Sequence, residues 1–147
     1  MRTIIEASEK TLDQLTEMAK DLWPDNDYEE LKKEFAAMLK ANNQKVFLSM
    51  ADNVSVAFIQ LSVRRDYVEG SETSPVGYVE GIYVRPDFRR QGISKELLTK
   101  GEEWVREKGC TQMGSDIEDD NDTSYQFHLN TGFKEANRLI CFIKDLE

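Results

Sequence analysis

Two carboxylates and one basic loop hold most of the chemical potential of this sequence. Glu80 lies in the apolar run Val79-Glu80-Gly81-Ile82-Tyr83-Val84. After Arg85-Pro86-Asp87-Phe88 the chain continues as Arg89, Arg90, Gln91, Gly92, Ile93, Ser94 and Lys95, and then as an amphipathic stretch. That order reads as a buried strand, a short turn and the start of a long helix. The first amides of a helix lack intrahelical acceptors, and the helix dipole adds partial positive charge beside them. Arg89, Arg90 and Lys95 surround those amides with full charges. The arrangement suits a diphosphate. No Gly-Lys-Ser/Thr follows, so a nucleoside triphosphate is not the first expectation. The plain alternative is a basic surface turn ahead of an ordinary helix.

The second carboxylate, Asp116, closes a short strand candidate over 112–116 and opens the run Asp116-Ile117-Glu118-Asp119-Asp120-Asn121-Asp122, rich in carboxylates. Such a run is usually a solvated loop. Beside a basic cradle it suggests another division: an anionic ligand on one side and a cationic one on the other. The net charge of −9 points the same way, because binding nucleic acid needs a basic face. Neither a membrane span nor a secretory leader is recognisable, and a cytoplasmic protein is the default expectation. Cys110 and Cys141 are too few and too isolated for a disulfide framework or a zinc site.

The elements that must position these groups are legible from periodicity. At 147 residues the chain is expected to be one domain spanning 1–147. A strand over Arg2 to Ala7 precedes a capping box at Thr11-Leu12-Asp13-Gln14, with Leu12, Leu15, Met18, Ala19 and Leu22 at helical spacing. Trp23-Pro24 stops that helix, and Tyr28, Leu31, Phe35, Met38 and Leu39 mark a second. Strands over 45–50 and 54–63 meet at Asp52-Asn53, a tight hairpin. The polar stretch 64–75 is long enough to suspect a functional loop. Strand 76–84 contains Gly77 and Gly81, which hint at a bulge or a close approach. A helix from Gly92 to about Lys108, a short strand, a short helix over 123–130 and a closing antiparallel pair with Leu139 to Ile143 complete the order.

The pattern Arg89-x-x-Gly92-x-Ser94 resembles the pyrophosphate loop of the GCN5-related N-acetyltransferases, which hold acetyl-CoA there. That family usually writes Gly or Ala where Ser94 stands. The element order β-α-α-β-β-β-α-β-α-β-β is also similar to that family from end to end. The resemblance implies a single-domain α/β (α+β) acyl-CoA N-acyltransferase fold, a mixed central sheet flanked by about four helices. Leu22-Trp23-Pro24, Asp66-Tyr67-Val68-x-Gly70, Glu80-Gly81-Ile82, Gly109-Cys110 and Met113-Gly114-Ser115-Asp116 are similar to the chromosomal-type aminoglycoside 6'-N-acetyltransferases. Arg138 and the apolar C-terminal stretch fit the same subgroup.

That resemblance implies acetyl transfer from acetyl-CoA to the 6'-amine of a cationic aminoglycoside, directly in a ternary complex, by a homodimer pairing through Leu139 to Phe142. The amine titrates near ~10 and must lose a proton before it attacks. Asp116 first and Glu80 second are the candidate bases, with a water relay as a third route. A carboxylate near an ammonium favours its charged form, so binding and deprotonation pull in opposite directions. For Glu80 a structural pairing with a nearby Arg is the alternative. The backbone of Ile82, Tyr83 and Val84 is expected to meet the thioester and pantetheine, and Asn121 to add a polar contact. His128 stands where many relatives carry a proton-donating Tyr; packing or plain exposure is its alternative. Trp23 and Tyr67 are expected to wall the substrate cleft, although Trp23 would equally staple the end of the first helix. Asn26 and Asn137 stand where relatives often carry His and an acidic residue. Two other readings share the same residues: an N-acetyltransferase for a polyamine or protein amine, and a non-catalytic acyl-CoA sensor.

Overall fold

The structure is a computed structural model, and it describes residues 2–146. Residues through Ser115 form one compact unit and those from Asp116 a second. The first unit contains a five-stranded sheet in the order β1-β2-β3-β4-β5. Its strands are β1 (Arg2–Glu6), β2 (Gln44–Ala51), β3 (Val54–Arg64), β4 (Val76–Val84) and β5 (Met113–Ser115). The first four pair antiparallel and β5 joins β4 in parallel, which makes the sheet mixed as expected. The β2–β3 hairpin turns on Asp52 and Asn53, both with positive φ (50° and 68°), the left-handed pair that a two-residue turn needs.

Helices α1 (Leu12–Leu22) and α2 (Tyr28–Met38) cover one face of the sheet. Leu15, Met18, Ala19, Leu31 and Phe35 from these helices meet Val46, Leu48 and Phe58 from the strands. Phe58 is the hub of the aromatic packing, with ring centroids at 6.2 Å from Trp23, 6.3 Å from Phe35 and 6.2 Å from Tyr83. The long helix α3 (Ile93–Glu107) covers the opposite face. It buries Ile93, Leu97, Leu98, Gly101, Trp104 and Val105, the set its periodicity predicts. The second unit contains helix α4 (Asp122–Asn130), the fourth α-helix among the described residues.

One irregularity in β4 matters for function. Gln60 pairs with Gly81 and Leu61 with Val79, so Glu80 is an extra residue with no opposite number on β3. Side chains normally alternate between faces, and an inserted residue reverses the alternation beyond it. Gly77 packs on Val105 of α3, whereas Tyr78 lies under Arg64 on the other face. Beyond the insertion, Gly81 meets Trp23, and the Tyr83 hydroxyl reaches Asp21 of α1 at 3.2 Å. The bulge thus brings Glu80, Gly81 and Tyr83 to the α1 and α2 side together.

Two expectations need correction. The capping box does not form at Thr11: its Oγ1 accepts from the Ser8 amide and closes a 3₁₀ turn over Glu9–Thr11. The Gln14 side chain accepts instead from the Ser55 amide at 2.8 Å, a tertiary bond that outcompetes the local motif. The closing antiparallel pair is also absent. Residues 133–146 form no strand, and Leu139, Ile140, Phe142, Ile143 and Leu146 are exposed. A ladder needs a second edge, and β-propensity alone does not supply one.

The fit at Gly81 yields a prediction. A Cβ there would lie 2.6 Å from the Trp23 ring. Gly81→Ala is expected to displace the indole and destabilise the fold by about 1–3 kcal/mol, the usual range for overpacking. Urea unfolding followed by Trp fluorescence measures both effects.

Candidate active site

Two adjoining depressions lie on the α1 and α2 side of the sheet, and both are lined by Glu34, Met38, Gln60 and Glu80. The smaller, of about 310 Å³, adds Trp23 and Asn26; the larger, of about 1090 Å³, adds Ser62, Arg64, Asp66 and Tyr67. The structure therefore brings together Trp23, Asn26, Tyr67 and Glu80, four residues expected to contact substrate. Trp23 lines the smaller depression, and its ring packs against Phe58 at an interplanar angle of 57°. Tyr67 is 75% exposed on the 65–75 loop. That loop is anchored below by Val68, packed with Val76 and Tyr78, and by Gln112, whose Oε1 accepts from the Glu72 amide.

Glu80 is the most constrained group in the cleft. Arg64 donates to both of its carboxylate oxygens, at 2.7, 2.8 and 3.0 Å, and the Ser62 hydroxyl donates to Oε2. The guanidinium carbon of Arg64 sits 3.5 Å from the Tyr78 ring centroid. The structural pairing with an Arg is thus real, and it coexists with a place in the cleft. Sequence reasoning missed Glu34, Gln60, Ser62 and Arg64. Their signal was available: Gln60, Ser62 and Arg64 alternate on β3, and all three face the side on which Glu80 emerges.

The basic loop has the local geometry expected of an anion cradle. Arg90 and Gly92 both take positive φ (65° and 79°), and no side chain caps the amides opening α3. A Cβ on Gly92 would meet nothing within 4 Å, so the loop leaves open space beside those amides. A non-glycine residue at positive φ is uncommon and stores strain. Arg89 clamps the loop to β4 by donating Nε to the Val84 carbonyl at 2.8 Å. Ile93 is itself buried, so its contribution to a ligand is its amide. Gln91 is partly engaged by Arg2, which donates to its Oε1 at 3.1 Å. The β5 ladder reaches only Val79, so the half of β4 that carries Ile82, Tyr83 and Val84 continues past its parallel neighbour. Burial, reinforced by Asp21, pushes the Tyr83 phenol up, which keeps it a neutral hydrogen-bonding group.

Asp116, Asn121, His128 and Asn137 belong to the second unit. Asn121 caps α4, its Oδ1 accepting from the Ser124 amide at 3.1 Å. His128 Nδ1 donates to the Ser124 carbonyl at 2.7 Å, and its ring lies 5.0 Å from that of Phe133. Asn137 Oδ1 accepts from the Arg138 amide, and Asp116 is exposed just after β5. Among the described residues no helix is long and apolar enough to cross a membrane.

A layered α/β unit with a basic strand-to-helix loop and an acidic cleft beside a bulged strand defines an acyl-transferring class of protein. The model of the Acetyltransferase (GNAT) family matches residues 12–133, and the chain belongs to that family. It is 37% identical over 133 residues to an aminoglycoside N(6')-acetyltransferase type 1 of Salmonella typhimurium, covering 90% of this chain and 92% of the relative. Another relative of that name, from Acinetobacter haemolyticus, is 36% identical over 96% of this chain and 97% of its own. Among solved structures, AAC(6')-Iy in complex with the bisubstrate analogue CoA-S-monomethyl-acetylneamine superposes with TM-score 0.95 at 34% identity, over 99% of both chains.

The cysteines offer a check on covalent chemistry. Burial pushes the Cys110 thiol up, only partly offset by Arg65, and a buried neutral thiol is a poor nucleophile. Cys141 is exposed. In the native protein an aromatic disulfide reagent is expected to spare Cys110 until the protein unfolds, as counted by the thiolate released. Rapid release of two equivalents would contradict the burial of Cys110.

Proposed function

We propose that this protein is an acetyl-CoA-dependent aminoglycoside 6'-N-acetyltransferase, a resistance enzyme acting by direct transfer. The observation that carries the reading is Glu80, delivered by a strand bulge into an acidic, aromatic-walled cleft. The relatives, at 36–37% identity over nine-tenths or more of this chain, support the substrate class.

The residues of the basic loop fit an acyl-CoA. Arg89, Arg90 and Lys95, with the amides of Gln91, Gly92, Ile93 and Ser94, would hold the diphosphate. Bound there, acetyl-CoA supplies an acetyl group activated as a thioester. The backbone of Ile82 to Val84 would receive the thioester carbonyl and the pantetheine arm, and an amide aimed at the developing oxyanion would lower the barrier. Asn121 would add a polar contact. In the cleft, Trp23 and Tyr67 would offer ring faces to the sugar, Asn26 a neutral polar contact and Glu80 a charge for the ammonium; Asn137 and Asp116 are proposed as further substrate contacts on the family resemblance alone. Glu80 or Asp116 would take the proton of the amine, directly or through water, and His128 would serve as acid to the departing thiolate. Cys110 is buried with its thiol pushed up, a poor acetyl carrier, which favours a single displacement over an acetyl-enzyme.

Thiol release from acetyl-CoA with paired aminoglycosides tests this. Turnover is expected with the 6'-amine compound and not with its 6'-hydroxyl analogue. Equal turnover with both, or with a polyamine or peptide only, overturns the aminoglycoside assignment; acetyl-CoA binding with no turnover at all points to a sensor. Glu80→Gln and Asp116→Asn are each expected to lower kcat/KM by about 10²- to 10⁴-fold, the range for lost acid–base groups. Near-normal rates in either variant remove that residue from the mechanism.

We infer further that the protein is a cytoplasmic homodimer in which the apolar segment Leu139 to Ile143 is covered by the second copy. Its exposed side chains, 63–96% accessible at Leu139, Ile140, Phe142 and Ile143, support this. Sedimentation is expected to give twice the 17.0 kDa chain mass, with Phe142→Lys moving the population towards monomer. A wild-type monomer at micromolar concentration contradicts it.

A further inference from the structure

Arg64 presents an unexplained arrangement for an enzyme that must bind a cationic amine: an internal cation already grips the cleft carboxylate. Its grip is asymmetric. Oε2 of Glu80 receives the Ser62 hydroxyl, Arg64 Nε at 3.0 Å and one Arg64 terminal nitrogen at 2.8 Å, whereas Oε1 receives only that terminal nitrogen at 2.7 Å. Arg64 is itself fixed by stacking 3.5 Å over Tyr78, the residue two before Glu80 on β4. Ser62 is 7% exposed and sits two residues before Arg64 on β3, so both donors come from one face of a paired strand.

We propose that Arg64 and Ser62 are positioning residues that lock Oε2 of Glu80 and aim Oε1 at the substrate amine. The inference rests on the reading of this cleft as an amine-acetylating site. A residue inserted by a bulge is not held by a ladder partner, so the orientation of its side chain must come from side-chain contacts. The planar fork of an arginine holds a carboxylate by two donors at fixed geometry, which a lysine does not reproduce. With Oε2 saturated, the acceptor capacity left on Oε1 is the part of Glu80 open to an incoming ammonium or a relay water.

The test uses the full chain and two readouts. Arg64→Ala is expected to lower kcat for a 6'-amine aminoglycoside by about 10- to 100-fold with a much smaller change in KM, the effect of misplacing a reacting group by about an ångström. Arg64→Lys is expected to recover little of this, and millimolar guanidinium added to Arg64→Ala to recover much of it. Ser62→Ala, which removes a hydroxyl without disturbing the ion pair, is expected to show a milder loss of the same pattern. A kcat within about threefold of wild type in Arg64→Ala overturns the proposal. The second readout needs no substrate. In a crystal structure of Arg64→Ala, the Glu80 carboxylate is expected to lose its single orientation. An unmoved carboxylate overturns the proposal whatever amine the wild-type enzyme accepts, and wild-type inactivity on both aminoglycosides overturns the functional reading alone.

Discussion

A single inserted residue in β4 decides which side chains meet. Without it the strand would keep strict alternation, and a residue facing Trp23 would be followed by one facing α3. With it, Glu80 and Gly81 open to the same face, one as a carboxylate and the other as the gap into which the Trp23 ring fits. The aromatic hub of Phe58 fixes that ring from behind, and Phe35 of α2 fixes Phe58. Core packing and cleft construction are therefore one problem here. The rings that stabilise the α1 and α2 layer also shape the wall against which a sugar would lie.

The same bulge separates two functions along one strand. Up to Val79, β4 is paired on both edges, by β3 and by β5. Beyond it the strand runs on past β5 towards the loop in which Arg90 and Gly92 hold left-handed backbone and α3 begins uncapped. Negative charge gathers in the cleft, and positive charge gathers at the start of α3. On the proposed function, a cationic acceptor and an anionic donor would be drawn to different ends of one element. The overall excess of acidic groups suits the former without disabling the latter.

Much of this was legible in the residues because it rests on local periodicity. The core face of α3, the hairpin at Asp52-Asn53 and the bulge near Gly81 all carry short-range signals, and each has its expected form. Trp23 and Asn26 line one depression with Glu80, and Tyr67 lines the adjoining one with it. What was not legible depends on partners distant in sequence. Gln14 looks like part of a helix cap, yet it serves Ser55, forty-one residues away. Arg64 reads as the start of a polar loop, whereas β3 runs on through it, and only the register between β3 and β4 reveals its grip on Glu80. The apolar residues around Ile140 read as a strand, but a strand requires pairing with another, and residues 133–146 form none.

The most direct measurement is a crystal structure of the protein with CoA and an aminoglycoside bearing a 6'-amine. The account predicts the diphosphate against the amides of Gln91 to Ser94, the pantetheine along Ile82 to Val84, and the 6'-nitrogen within hydrogen-bonding reach of Oε1 of Glu80. An aminoglycoside bound with that nitrogen outside the cleft of Trp23 and Glu80, or a CoA diphosphate away from the Gly92 loop, would contradict it.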